Sequence, residues 1–171
     1  MPKKNMYIAV VVAVVVVATF IFLGYFGMGG TQNEPAVPQG VSAAQDLLND
    51  ISKTGKVSQL AVIDTVDGTG AEAKSGDTVT VNYIGVLPNG TVFDASQNHG
   101  QSFTFTLGAG AVIKGWDQGL VGMKVGGTRL VAIPPELAYG GQAVGQIPAN
   151  SSLIFQVELV SIGAPQAAPA Q

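Results

Sequence analysis

The chain contains no cysteine and only one histidine, His99. Without cysteine there can be no disulfide, thiol nucleophile or thiolate metal site, and an anchor attached through a lipidated cysteine is excluded. A single histidine also argues against a zinc or copper centre, because such centres draw on several imidazole or thiolate ligands. We therefore expect no zinc or copper site.

Basic residues are scarce as well. The sequence has 8 lysines and arginines against 11 aspartates and glutamates, which gives a net charge of −3 at pH 7. A nucleic-acid-binding surface needs a cluster of positive charge to neutralise phosphates. No such cluster is present, so the sequence predicts no nucleic-acid partner.

One long apolar run stands at the N-terminus. Residues 6–30 carry no charge, Lys3 and Lys4 precede them, and Glu34 is the first charge that follows. About 20 apolar residues span the hydrocarbon layer as a helix. Residues 1–30 are thus predicted to be a short cytoplasmic stub and a transmembrane signal-anchor, with membrane contact through residues 6–28. By the positive-inside rule, the remainder lies on the extracytoplasmic side.

Cleavage of this segment is the alternative. A secretory signal peptide has an apolar region of about 7–15 residues, and cleavage near residues 27–30 would release a secreted protein. The run is longer than that and no Ala-x-Ala follows it closely, which favours the uncleaved anchor.

Composition divides the remainder of the chain into three parts. Residues 31–56 are predicted to be a linker, in which apolar residues at helical spacing from Val41 to Ile51 leave two interpretations, a short amphipathic helix or a frayed lead into the domain. Residues 57–163 form one domain of ordinary size. The Pro- and Ala-rich residues 164–171 are predicted to be a disordered tail.

The domain is dominated by alternation of apolar and polar residues, which is typical of strands with one buried face. Strands are predicted at residues 77–87, 91–94, 103–107, 127–133 and 153–159, with Pro88-Asn89-Gly90 as a hairpin turn. The only helix predicted in the domain covers residues 112–121. The fold class is therefore α+β, a mostly antiparallel sheet with one short helix against its concave face.

Aromatic residues fall on several different predicted elements: Tyr83, Phe93, Phe103, Phe105, Trp116, Tyr139 and Phe155. Two interpretations are open at this point. The rings can form an ordinary core, since aromatics dominate the cores of small sheets. They can equally line an apolar pocket with a few polar groups.

A family resemblance favours the pocket. The segments that carry it are VNYIGVLPNGTVFDAS, FTFTLGAGAVIKGWDQGLVGMKVGG, IPPELAYG and IPANSSLIFQVELVSI. Together they resemble the FKBP-type peptidyl-prolyl cis-trans isomerases over about residues 60–162. The resemblance implies a bent, mostly antiparallel sheet of about five strands wrapped around the helix that contains Trp116.

The same resemblance implies the site residues. Those expected to take part in catalysis are Trp116 as the pocket floor, Phe93, Asp94 and Tyr139. Those expected to contact the substrate are Tyr83, Phe103, Val112, Ile113, Ile147 and Phe155. The implied function is acceleration of X–Pro isomerisation in secreted or surface proteins, with proline-containing polypeptides as substrates, macrolides as potential inhibitors and no cofactor. The alternative is a proline-segment-binding chaperone or scaffold module without useful turnover.

One position departs from the family pattern. Relatives often pair an arginine with the aspartate that corresponds to Asp94, and this chain has His99 in that loop. An unperturbed histidine is neutral above about pH 6.5, so the pair would be conditional on pH. We expect His99 either to modulate the site in this way or to be an ordinary exposed loop residue.

Overall fold

The computed structural model describes residues 47–163, apart from residues 50 and 52. The predicted membrane segment, residues 6–28, most of the predicted linker and the predicted tail lie outside the described residues. Within the described part of the chain, no helix is both long and apolar enough to cross a membrane.

Six antiparallel strands form one sheet in the described domain: β1 (Ala61–Val66), β2 (Thr78–Val86), β3 (Val92–Ala95), β4 (Phe103–Thr106), β5 (Thr128–Ile133) and β6 (Leu153–Gly163). The strand order is β1-β5-β6-β2-β3. The two halves of β2 have different neighbours on one side, because β3 pairs with Ile84–Val86 and β4 pairs with Thr78–Val81. The seven residues between β3 and β4 therefore lie outside the sheet. Beside the middle of β2, they leave a gap between the two neighbouring strands.

The predicted antiparallel sheet with one short helix is confirmed, with six strands in place of about five. The additional strand is β1, which sequence reasoning missed. Its Val62 and Val66 point to one face and are nearly half exposed, while Ala61 and Ile63 on the other face are partly buried. Both faces thus carry apolar residues, so the polar alternation that marks a half-buried strand is absent.

The helix, α1, spans Lys114–Gly119 and is shorter than the predicted range 112–121. Ile113 is extended, with ψ at 146°, so the helix cannot begin earlier. Gly115 lets α1 approach β5, since a Cβ at this glycine would lie 2.7 Å from Cδ1 of Ile133. This close contact seats Trp116 between the helix and the sheet.

A buried arginine fixes the end of α1. Arg129 on β5 donates from Nη1 to the carbonyl oxygens of Gly119 and Val121, both at 2.9 Å. Its Nε and Nη2 donate to the two carboxylate oxygens of Asp64 on β1. A cation here suits the negative end of the helix dipole and satisfies carbonyls that the helix itself leaves unpaired.

The two faces of the sheet carry different apolar clusters. Val131 and Phe155 are paired across β5 and β6 on the face that meets α1, whereas their neighbours Ala132 and Ile154 lie on the opposite face. This follows from the alternation of side chains along a strand. The larger cluster, around Trp116, is the main core.

The opposite face is covered by the chain that enters the domain. Residues 47–49, 51, 53 and 54 are helical, and Ile51 is only 2 % exposed within the second cluster. The Val57 N–H donates to Oγ of Ser152 at 2.9 Å, which ties the end of this segment to the start of β6. The last part of the predicted linker, residues 31–56, thus packs on the sheet. Its Leu47, Leu48 and Ile51 contact the apolar outer face of the sheet.

Candidate active site

A cleft of about 520 Å³ opens on the face of the sheet that holds α1. Its walls come from the inner face of β2, β3, β4 and β6, from α1 and from three loops. The lining residues are Tyr83, Phe93, Asp94, Ser96, His99, Gln101, Ser102, Phe103, Ala111, Val112, Ile113, Trp116, Tyr139 and Phe155.

Trp116 forms the floor of this cleft and is 4 % exposed. The rings of Tyr83 and Phe155 meet the indole edge-on, each with a centroid distance of 5.1 Å. Phe105 packs against it from the core side at 5.6 Å. Edge-to-face packing of this kind holds each ring in one orientation, so the floor is a rigid apolar plane.

Gly85 explains why the rings of Phe93 and Phe155 can meet at one end of the cleft. A Cβ at this position of β2 would lie 2.6 Å from Cζ of Phe93 and 2.8 Å from Cε1 of Phe155. Because no side chain projects there, Phe93 and Phe155 meet edge-on with centroids 5.5 Å apart. A glycine at position 85 is therefore required for space.

The rim beside the helix is held by a carboxylate. Asp117 on α1 accepts hydrogen bonds from the backbone N–H groups of Gly108 at 2.8 Å and Gly110 at 2.9 Å. These bonds fold the loop before α1 back onto the helix. Val112 and Ile113 are thereby fixed at the edge of the cleft.

The polar groups of the cleft are arranged around the carboxylate of Asp94 on β3. Its Oδ2 accepts a 2.6 Å hydrogen bond from the Tyr83 hydroxyl, and its Oδ1 accepts from the Ala95 N–H at 2.8 Å. Nε2 of His99, at the end of the 3₁₀ helix Ser96–His99, lies 2.9 Å from the same Oδ1. Both carboxylate oxygens thus face donors.

These contacts shift two pKa values in opposite directions. Burial raises the pKa of Asp94, but hydrogen bonds from Tyr83, His99 and the Ala95 N–H outweigh it, so the pKa lies below its ordinary value of 3.8. For Tyr83, burial is the largest cause and the bonded carboxylate adds to it, and both raise the pKa of the phenol. Asp94 is therefore an anion and Tyr83 a neutral donor at physiological pH.

Two donors at the cleft keep their hydrogens free for a ligand. Among residues 47–163, no described acceptor takes a hydrogen bond from the Tyr139 hydroxyl or from the Ile113 N–H. The Trp116 indole N–H is buried and likewise has no partner in this part of the chain. A peptide in the cleft presents carbonyl oxygens, which are the acceptors that the first two donors can use.

The structure brings together all but one of the residues expected from the sequence. The exception is Ile147, which is 6 % exposed within the main core and does not line the cleft. Its backbone N–H and carbonyl pair with Val144 across a short turn, and this turn directs the Ile147 side chain inward. Contact of Ile147 with a bound substrate stays a prediction.

Sequence reasoning missed four lining residues, Ser96, Gln101, Ser102 and Ala111, which all lie outside the strands and show no periodicity. Ser96 has a structural task, because its Oγ bonds both the N–H and the carbonyl of Tyr83 where β2 has no neighbour on the side of β3 and β4. Within the described residues, no three His, Asp or Glu side chains are placed to hold a metal ion.

A six-stranded antiparallel sheet, the short helix α1 and an aromatic cleft between them define an FKBP-like domain. A family model described as FKBP-type peptidyl-prolyl cis-trans isomerase matches residues 70–160, and the chain belongs to this family. The resemblance drawn from the sequence motifs is confirmed.

Individual relatives agree with this assignment. FK506-binding protein 1A of Neurospora crassa is 58% identical over 92 residues, which cover 53% of this chain and 77% of the relative. FK506-binding protein 4 of Chaetomium thermophilum is 56% identical over 95 residues, 56% of this chain. The chain spans only 20% of that longer relative. Among solved structures, AtFKBP13 has a TM-score of 0.59 at 43% identity and covers 63% of this chain and 96% of its own.

Proposed function

We propose that this protein catalyses cis-trans isomerisation of X–Pro peptide bonds in the cleft above Trp116. The observation that carries the proposal is a rigid aromatic floor flanked by two unpartnered donors, the Tyr139 hydroxyl and the Ile113 N–H. A prolyl ring is apolar and flat enough to lie on the indole, while the adjacent carbonyl oxygens need donors. The cleft offers both within one site.

The reaction needs no nucleophile. Rotation about the peptide bond is opposed by a barrier of about 18–20 kcal/mol because it breaks amide resonance. The planar amide carries more separated charge than the twisted amide, so transfer from water into an apolar cleft disfavours the planar ground state more. Each 1.36 kcal/mol of such differential stabilisation, by the Eyring relation, gives about a tenfold gain in rate.

The polar groups orient the substrate. Tyr139 and Ile113 hold carbonyl oxygens on either side of the rotating bond, and the proline ring is fixed over Trp116. Asp94 holds the Tyr83 ring edge-on against the indole through the 2.6 Å hydrogen bond. In this proposal Asp94 acts on the shape and field of the cleft and transfers no proton.

The test is isomerisation of an X–Pro peptide by the purified chain, followed by exchange NMR. We expect acceleration that falls at least tenfold in kcat/KM for Asp94→Val and for Tyr139→Phe, since each removes a group that shapes or orients the bound peptide. The control is Glu72→Gln, at an exposed residue outside the cleft. Peptide binding without any acceleration would instead favour a proline-segment-binding scaffold.

The relatives named above are FK506-binding proteins, and we propose that this cleft also accepts a macrolide of that kind. The Ile113 N–H and the Tyr139 hydroxyl are the donors available to it. Competition between the macrolide and an X–Pro peptide, read from the fluorescence of the single tryptophan, measures this directly.

We further propose that residues 6–28 anchor the chain in a membrane and that the domain acts on secreted or surface proteins. The support is the uncharged apolar run preceded by Lys3 and Lys4. Fractionation of cells should place the full chain in the membrane and a chain lacking residues 1–30 in the soluble fraction. Protease added to intact spheroplasts should reach the domain, and protection from it would contradict the orientation.

A further inference from the structure

The cleft is lined by few charged side chains. Of its lining residues, only Asp94 and His99 carry, or can carry, a charge near neutral pH. No lysine or arginine lines it, and Lys114 at the start of α1 is exposed and outside the lining. The groups that bond the carboxylate are the Tyr83 phenol from β2, the Ala95 N–H from β3 and the His99 imidazole.

The carboxylate is accessible to a ligand. The side chain of Asp94 is 38% exposed and that of His99 is 60% exposed. His99 can donate one hydrogen bond to Asp94 while it is neutral, but it then brings no positive charge to offset the anion. Tyr83 is a neutral donor as well. The mouth of the cleft therefore has no permanent cation to compensate the Asp94 carboxylate.

We propose that this charge selects substrates with a lysine or arginine beside the proline over those with a glutamate or aspartate, and that residue 99 sets the strength of the preference. The inference rests on the proposed binding of X–Pro segments in this cleft. It names the substrate class by its charge and leaves the isomerisation step unchanged.

Coulomb's law gives the size of the effect. A substrate cation several ångströms from a partly exposed carboxylate gains on the order of a three- to tenfold advantage over an anion at low ionic strength. Most of that advantage is lost at 0.5 M salt, where the screening length is about 4 Å. Salt dependence thus separates the charge effect from any difference in side-chain shape.

The experiment uses the full chain and three peptides that differ only before proline, with lysine, leucine or glutamate. At pH 8 and low salt we expect the lysine peptide to exceed the glutamate peptide by about three- to tenfold in kcat/KM. His99→Arg places a permanent cation beside Asp94 and should reduce this ratio at least threefold. Glu72→Gln changes the net charge by the same amount outside the cleft and should leave the ratio as it is.

The outcomes distinguish the two proposals. If no peptide is accelerated, the isomerase proposal fails, and dissociation constants from Trp116 fluorescence then decide the charge preference alone. If peptides are accelerated or bound with equal efficiency whatever their charge, the preference is overturned. The same holds if His99→Arg and Glu72→Gln change the ratio equally, since the net charge of the protein would then be responsible.

Discussion

The Tyr83 hydroxyl donates a 2.6 Å hydrogen bond to Oδ2 of Asp94, and this bond joins the central strand of the sheet to the polar end of the cleft. Both residues also serve the apolar side of the site, because the Tyr83 ring meets Trp116 edge-on. The same hydrogen bond therefore holds the Tyr83 ring against Trp116 and lowers the pKa of Asp94.

Removal of this hydroxyl should raise the pKa of Asp94. In Tyr83→Phe the carboxylate loses its shortest hydrogen bond, and with it a contact that favours the charged form. A carboxyl-carbon NMR titration should show the wild-type pKa below 3.8 and a higher pKa in the variant. Tyr139→Phe, which removes a hydroxyl that does not bond Asp94, is the matched control, and equal shifts in both variants would refute the assignment.

The contribution of the Asp94 charge to stability should change with pH only in acid. A carboxyl whose pKa is lower in the folded state stabilises the fold above its unfolded pKa and loses this contribution as pH falls through the folded pKa. The difference in unfolding free energy between wild type and Asp94→Asn should thus be constant above about pH 5 and shrink below 3.8. Urea unfolding at several pH values measures it, and a difference that grows toward acid pH would reverse the sign.

Substitution of Gly85 should close the end of the cleft. In Gly85→Ala the added methyl would overlap the Phe93 and Phe155 rings, so one ring has to move into the cleft. We expect at least tenfold weaker peptide binding and a loss of about 1–3 kcal/mol in stability. Gly141→Ala is the control, because a Cβ there would meet only Asn150, at 3.9 Å. Unchanged binding in Gly85→Ala would show that the rings do not line the ligand site.

The segment before the domain should contribute to stability and leave catalysis alone. Ile51 is buried against the outer face of the sheet, so Ile51→Ala should cost about 2–5 kcal/mol in unfolding free energy. Lys53→Ala, at an exposed position of the same segment, should change it by less than about 0.5 kcal/mol. The kcat/KM of folded protein should be unaffected in both variants. An equal, small effect of the two substitutions would mean that the segment does not hold the sheet.

Alternation made most of the sheet predictable. In β2, β4 and β6 apolar residues alternate with polar residues along much of each strand, and this pattern is visible in a single strand. β1 was not predicted because both of its faces carry apolar residues. Its place in the sheet depends on β5, with which it pairs across more than 60 residues. That distance is also why the ion pair of Asp64 with Arg129 could not be predicted.

The site residues could be predicted only where they lie in segments that resemble the family. Trp116, Phe93 and Asp94 lie in segments that resemble the family closely, and the structure places all three at one cleft. Ile147 also lies in such a segment, but a two-residue turn rotates it into the core. The sequence left His99 as either a modulator beside Asp94 or an ordinary loop residue, and in the structure a short 3₁₀ helix returns the imidazole to the aspartate five positions earlier.

The helical residues that precede the domain lie on the face of the sheet opposite the cleft. Leu47 therefore lies at the back of the sheet, and the mouth above Trp116 opens on the other side. Attachment of the protein to a sensor chip or a bead through its N-terminus should leave that mouth free for peptides, whereas coupling through residues near His99 should obstruct it.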